Sequence, residues 1–353
     1  MRKKITVIVV TVFSLIVISA TRFPTGNHEP APEWNERTPV SEVLKTLGDE
    51  MPEHYYNGTP EEVRRGRDLL TIGRTTKPSG GRTALQSRHY KCTHCHNMVN
   101  EDPDLREPNP DGRLNYAIEN NLPYLQGTTL YGVVNRATWY NGDYVSKYGL
   151  EAEEAHTSLR KSIHLCATTC SQGKDYNDWE MNAVLAYLWS IELKLGDLKF
   201  DDSDWKRLNS EPGESDYDSR EARIAWLKSK WYQGSPATFS DQPDNLSAGY
   251  GLKGDLERGE AIYRLSCMHC HEPGGITYFI LDYERLTFQL MSHNMTRYTM
   301  YNMYHVARYG VPSYLGERAY MPNYTLERLS NQQAEDLRSY IEMMALGRSE
   351  GAS

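Results

Sequence analysis

The sequence has no excess of basic charge. Its 353 residues carry 39 Lys+Arg against 47 Asp+Glu, a formal charge of -8. A nucleic-acid binder would show a basic face, so that class is set aside. Apolar length is scarce as well. The mean hydropathy of -0.67 excludes a polytopic membrane protein. Phenylalanine is rare, 6 residues against 25 tyrosines, so the aromatic surface mostly carries a polar hydroxyl. Hydrophobic residues still make up 39%, enough for packed cores and too many for wholesale disorder. The length suggests about two domains. Cysteine is limited to six, and these fall as three pairs: Cys92/Cys95, Cys166/Cys170 and Cys267/Cys270.

One apolar run stands at the N-terminus. After Met-Arg-Lys-Lys, residues 5–20 carry no charge. A basic start before an apolar stretch is the pattern of an export signal. The run is short for a membrane-spanning helix, which needs about 20 residues, yet long for a signal. It also ends without a small-residue cleavage site of the A-x-A kind. Residues 1–21 are therefore expected to be a signal peptide or, if retained, an N-terminal anchor. Either way the remainder is exported, to the periplasm. No cysteine follows the run, which argues against a lipoprotein.

Residues 22–58 are proline-punctuated and read as an irregular extension. Thr59-Pro60-Glu61-Glu62 then opens a helix: Thr at N-cap, Pro at N1, Glu at N3. Two arrangements repeat along the chain. Arg65-Gly66-Arg67 precedes Cys92-Thr93-His94-Cys95-His96, and Arg258-Gly259-Glu260 precedes Cys267-Met268-His269-Cys270-His271. Each C-x-x-C-H is followed by irregular chain and an amphipathic helix, Trp179 to Leu193 in one case and Ser330 to Leu346 in the other. This order points to a duplicated all-α unit, spanning 59–200 and 250–349. Between them 201–249 reads as a long irregular linker, acidic and breaker-rich from Asp201 to Glu214, with one short helix near Arg220–Trp231. Trp226 and Trp231 call for cover, so the linker should pack along the surface.

C-x-x-C-H is the attachment signature of c-type haem. Two thiols add across the haem vinyl groups, and the adjacent histidine ligates iron. With six cysteines and 11 histidines in the chain, chance supplies about 0.003 such motifs. A zinc knuckle would need convergent pairs of ligands, and a redox C-x-x-C needs a βαβ context that is missing. Cys92, Cys95, His96, Cys267, Cys270 and His271 are thus expected to hold two haem c groups. His94 and His269, inside the motifs, are expected to be exposed loop residues.

Each iron needs a sixth ligand for electron transfer. In the second unit Met321, in Ala319-Tyr320-Met321-Pro322-Asn323-Tyr324, stands 50 residues after His271 and nine before Ser330. With Gly259, Tyr263 and the motif in the same order, residues 250–349 resemble class I cytochrome c, where such a Met-Pro supplies a thioether. Met291, Met295, Met300 and Met303 lie in a helix-like run and suit core packing.

The first unit has no Met-Pro before its last helix, and Met98 is too close to His96 to reach the other face of the ring. The expected place holds Ser162-Ile163-His164-Leu165-Cys166-Ala167-Thr168-Thr169-Cys170-Ser171-Gln172-Gly173. The spacing of Ser162, Ile163, Cys166 and Gly173 resembles the diheme thiosulfate dehydrogenases and, more distantly, the haem subunit of the bacterial thiosulfate-oxidising system. That resemblance, over about 60–195, implies Cys166 as the sixth ligand of the first iron, and the catalytic residue if the chain is an enzyme. Cys170 stands where the family has serine. Cys170 or His164 as ligand, and a Cys166–Cys170 disulfide, remain alternatives. The family's basic substrate residues have no sure counterpart; Arg136, Arg160 and Lys161 are the nearest suggestions.

The expected fold is all-α, two tandem class I-like cytochrome c domains. The expected function is exported diheme electron transfer, from a donor at the His96/Cys166 haem to the His271/Met321 haem and on to a respiratory partner. The alternative is a tetrathionate-forming thiosulfate dehydrogenase acting at the first haem. A peroxidase, which needs one open distal site, ranks below both. No nucleic-acid partner is expected, and membrane contact only if the N-terminal segment is retained.

Overall fold

A capping box starts three of the long helices, and the same chemistry serves both halves of the chain. In the computed structural model, which describes residues 34–210, 219–312 and 320–347, Thr59 and Glu62 close the start of Pro60–Thr71 as a reciprocal pair. Ser330 and Gln333 do so for Asn331–Leu346, and Asn177 and Glu180 for Asp178–Ser190. Each box satisfies two backbone donors that a helix start leaves without partners. The fold is all-α: no strand occurs among the described residues, only isolated bridges such as Val311 with Met321. The segment expected to direct export, the 211–214 part of the linker and Ala319 lie outside the described residues. Among those described, no helix is long and apolar enough to cross a membrane.

Two helix crossings have the same construction. Pro60–Thr71 crosses Asp178–Ser190 at Gly66, where an added Cβ would lie 1.9 Å from the Ala183 carbonyl oxygen and 2.9 Å from Tyr187 Cβ. Leu256–Ile262 crosses Asn331–Leu346 at Gly259, where it would lie 2.1 Å from the Asp336 carbonyl oxygen and 2.8 Å from Tyr340 Cβ. In both, a glycine meets a carbonyl and then the tyrosine one turn on. Only a residue without a side chain lets the backbones come this close.

Three apolar clusters follow. One gathers Leu69, Leu70, Val133, Trp139, Val184 and Leu188. A second holds Tyr263, Phe288, Tyr304, Leu337 and Ile341, and takes in Leu114, Ala117 and Tyr124 from the first half. The halves therefore share a core. The third cluster departs from the expected irregular stretches. Within the extension, Val40–Thr46 is helical with Val40 and Val43 fully buried. Within the linker, Asp202–Asn209 is helical, and Arg220–Lys228 is a helix where a short one was expected. These pieces pack together with Leu195, Leu198 and Trp231. Helices this short gain little from local propensity and depend on tertiary burial, which a local pattern does not reveal. Trp231 is covered and donates to the Asn135 carbonyl at 2.8 Å. Trp226 packs beside Phe200 at 5.5 Å.

Candidate functional site

The first motif is a tight turn. Cys92–His94 forms a 3-10 turn that leads into Cys95 and His96. The His96 Nδ1 is 2.6 Å from the Thr128 carbonyl oxygen. A carbonyl only accepts, so Nδ1 carries the proton and Nε2 keeps a free lone pair. Burial lowers the His96 pKa and favours the neutral ring. His271 repeats this: its Nδ1 donates to the Phe279 carbonyl at 2.7 Å, and burial lowers its pKa as well. A backbone carbonyl on one nitrogen is the usual support for a histidine that ligates metal through the other. The ring of His96 also rests on Gly127, where a Cβ would come within 2.6 Å of it.

The motif thiols sit in apolar surroundings. Burial pushes the Cys92 and Cys270 thiols up to about 11 and Cys267 to about 12, and raises Cys95 as well. No group of three or more His, Cys, Asp or Glu that could hold a metal ion occurs among the described residues. Neutral thioethers suit these walls. All six cysteines are unbridged.

The first site is a cavity enclosing about 1390 Å³, its open mouth included. Cys92, Cys95 and His96 line it together with Cys166, Cys170, Arg136 and a set of tyrosines. The Leu159–Leu165 helix loosens into a wider turn at Cys166–Cys170, which brings both sulfurs to this wall. The Cys166 thiol donates to Cys170; that bond comes first, with the Tyr320 and Tyr148 hydroxyls and Lys147 adding to it, in lowering the Cys170 pKa. The same contact, with burial, raises Cys166. His164 points away, paired with Asp175 at 2.8 Å on the surface, so geometry removes it as a ligand for this site. Of the three basic residues considered, Arg160 bonds Asn182 and Lys161 pairs with Glu154 in the open. Only Arg136 lines the cavity. Its hydrogen bonds run to the Thr128 and Ser235 hydroxyls and the Thr129 carbonyl, and burial pushes its pKa down to about 10.

The second site is more open. Cys267 closes a wide turn at Tyr263–Cys267, and Met268–His271 forms one helical turn. Cys267 and Met321 both pack against the second core. Met321 is held in the backbone by Val311, which exchanges hydrogen bonds with it at 2.8 and 3.1 Å. Met295 and Met303 are buried in the core, Met291 packs on it, and Met300 is exposed.

His94 and His269 are not the exposed loop residues that the motifs suggested. Both are half-buried. The His269 ring lies against the main chain at His94 and Thr93, and Cys270 Sγ lies 4.0 Å from the His94 carbonyl oxygen. The two motifs touch, a contact that neither motif alone foretells. Sequence reasoning also missed Glu101 and Arg328. They form a buried pair at 2.7 Å, and Arg328 further donates to the Gly127 carbonyl at 2.7 Å. No local pattern marks either residue.

Cavity, buried thiols and carbonyl-held imidazoles fit covalently attached haem c. Residues 254–341, about a quarter of the chain, match the sequence family described as cytochrome C oxidase, cbb3-type, subunit III. No curated protein matches the chain. The chain thus contains a c-type cytochrome domain, the seat of covalently bound haem c and of electron transfer to redox partners.

Proposed function

We propose that the chain is an exported diheme c-type cytochrome that passes electrons from a donor at a first haem to a second haem, and from there to a respiratory partner. The observation that carries this is the contact of the two motifs, Cys270 Sγ at 4.0 Å from the His94 carbonyl. Cys95 and Cys270 would thus hold their groups on adjoining parts of the chain, where an electron can pass between them.

Haem, when bound, supplies a one-electron ferric/ferrous couple at each site. Cys92, Cys95, Cys267 and Cys270 hold the two rings. His96 and His271 present Nε2 because Thr128 and Phe279 hold Nδ1. Cys166 is the sixth ligand assigned to the first iron, with Cys170 beside it as the alternative. Met321 is assigned to the second. A thiolate favours the ferric state and a neutral thioether the ferrous state, so electrons run downhill from first to second.

A second reading is a thiosulfate dehydrogenase acting at the first haem through Cys166. Arg136 favours it. It lines the cavity and is bonded there only to neutral oxygens, as binding a small dianion requires. A peroxidase is disfavoured because two sulfurs line the cavity where a peroxide would bind.

The mass of the purified protein tests the main reading. It should exceed that of the processed chain by two haems, and Cys267→Ala should lose proper attachment at the second site alone. One haem or none overturns the reading. Thiosulfate added to the oxidised protein separates the two functions: haem reduction with tetrathionate formation selects the enzyme, and an unchanged spectrum the carrier.

A further inference from the structure

The chain around Met321 lies across the first cavity as well as beside its own site. Tyr320 and Pro322 line that cavity, while Met321 between them packs on the second core. This is the alternation of an extended chain. At the start of the segment the Tyr320 hydroxyl is 2.9 Å from that of Tyr148, and the Tyr148 hydroxyl is 3.8 Å from Cys170 Sγ. The Tyr90 hydroxyl donates to the Tyr320 carbonyl at 3.2 Å, two residues before Cys92. In the middle, Lys147 Nζ donates to Asn323 Oδ1 at 2.6 Å. At the end, Arg328 donates to the carbonyl of Gly127, the residue on which the His96 ring rests. One short segment thus touches both the thiol side and the imidazole side of the first site.

We propose that residues 320–328 form a strap that couples the two sites, with Tyr320 as the positioning residue that transmits the state of the Cys170 wall to Met321. The proposal rests on the two-haem reading with Met321 as ligand. The backbone leaves little slack at Met321. Val311 holds it on both sides, and a Cβ on Gly310 would lie 2.3 Å from its carbonyl oxygen. With the Met321 backbone pinned in this way, a shift of Tyr320 cannot be lost in slack and is passed through their shared peptide to the aim of the Met321 side chain, whose sulfur is the ligand.

The test is a thermodynamic cycle on the haem-loaded protein. The midpoint potential of the second haem is measured in wild type, Cys170→Ala, Tyr320→Phe and the double variant. Cys170→Ala should shift that potential in the wild-type background and leave it unmoved in Tyr320→Phe. The same shift in both backgrounds would mean plain electrostatics between neighbouring haems and would overturn the proposal; so would no shift in either. Tyr320→Phe removes one hydroxyl and keeps the ring, so the fold persists. As a second readout, Asn323→Ala frees the middle anchor and should weaken the thioether-to-ferric charge-transfer band of the second haem. An unchanged band counts against the strap. Haem mass of each variant separates the two failures: fewer than two haems sinks the reading beneath, and two haems with an indifferent second site sinks the strap alone.

Discussion

At the scale of single residues, the decisive feature is how each histidine is held. A ring that donates Nδ1–H to a backbone carbonyl has its tautomer and its rotation set together. His96 meets Thr128 and His271 meets Phe279 at nearly equal distances, 2.6 and 2.7 Å. The carbonyl of Thr128 can reach His96 only because Gly127 lets the ring lie flat against the chain. Gly127→Ala would put a methyl 2.6 Å from the His96 ring carbon and nitrogen. Overpacking of this kind costs about 1–3 kcal/mol. On the two-haem reading, the variant should still attach haem at Cys92 and Cys95, but with a larger high-spin ferric fraction at the first site than the wild type. A ferric spectrum identical to wild type would refute the role given to Gly127. The histidines themselves stand out in the sequence, since the C-x-x-C-H motif contains them. Gly127 was not, because its partner lies 31 residues away and no spacing rule links them.

At the scale of elements, the two glycine crossings carry a second prediction. Gly66→Ala and Gly259→Ala would each place a methyl about 2 Å from a helix carbonyl, and the helices would have to part. Each should lower stability by about 1–3 kcal/mol, read as a lower urea midpoint with haem still bound. A variant as stable as wild type at either site would show that the crossing has room the geometry denies. Here the sequence was informative in an uneven way. Thr59/Glu62 and Ser330/Gln333 announced their helices, because a capping box is local chemistry. Asn177/Glu180 carried the same signal and places the start of its helix one residue before Trp179. Val40–Thr46 and Asp202–Asn209 were read as irregular. They carry charged and polar residues on most positions, and their apolar side chains find partners only in each other's company. The wide turn at Cys166–Cys170 was out of reach as well. A regular helix and a looser turn share the same sequence there, and what distinguishes them is the Ser171 hydrogen bond to the Cys166 carbonyl at 2.9 Å.

At the scale of the molecule, the halves are tied by charge as well as by a shared core. Glu101 of the first half and Arg328 of the second are both buried and 2.7 Å apart. Arg113 stands over the Tyr124 ring at 3.7 Å and donates to the Arg328 carbonyl. Burial alone would raise the Glu101 carboxyl, but the Arg328 and Arg113 guanidiniums outweigh it and hold the pKa down at about 2. An unfolded glutamate titrates near 4.3. The pair therefore contributes its full stability above about pH 4.3 and loses it as pH falls toward 2. Asp102 beside it runs the other way. Burial pushes its pKa up to about 6, so what it contributes is present at low pH and lost as pH rises through 6. The two effects occupy different windows. Glu101→Gln should cost about 3–5 kcal/mol at pH 7, because Arg328 stays buried without its counter-charge. It should also flatten the fall in stability between pH 4.3 and 2. The slope from pH 4 to 6, set by Asp102, should remain. Urea unfolding at pH 7, 5 and 3 reads all three quantities. If the variant loses stability below pH 4.3 as steeply as the wild type, the acid sensitivity arises elsewhere and Glu101–Arg328 is not the bond that joins the halves.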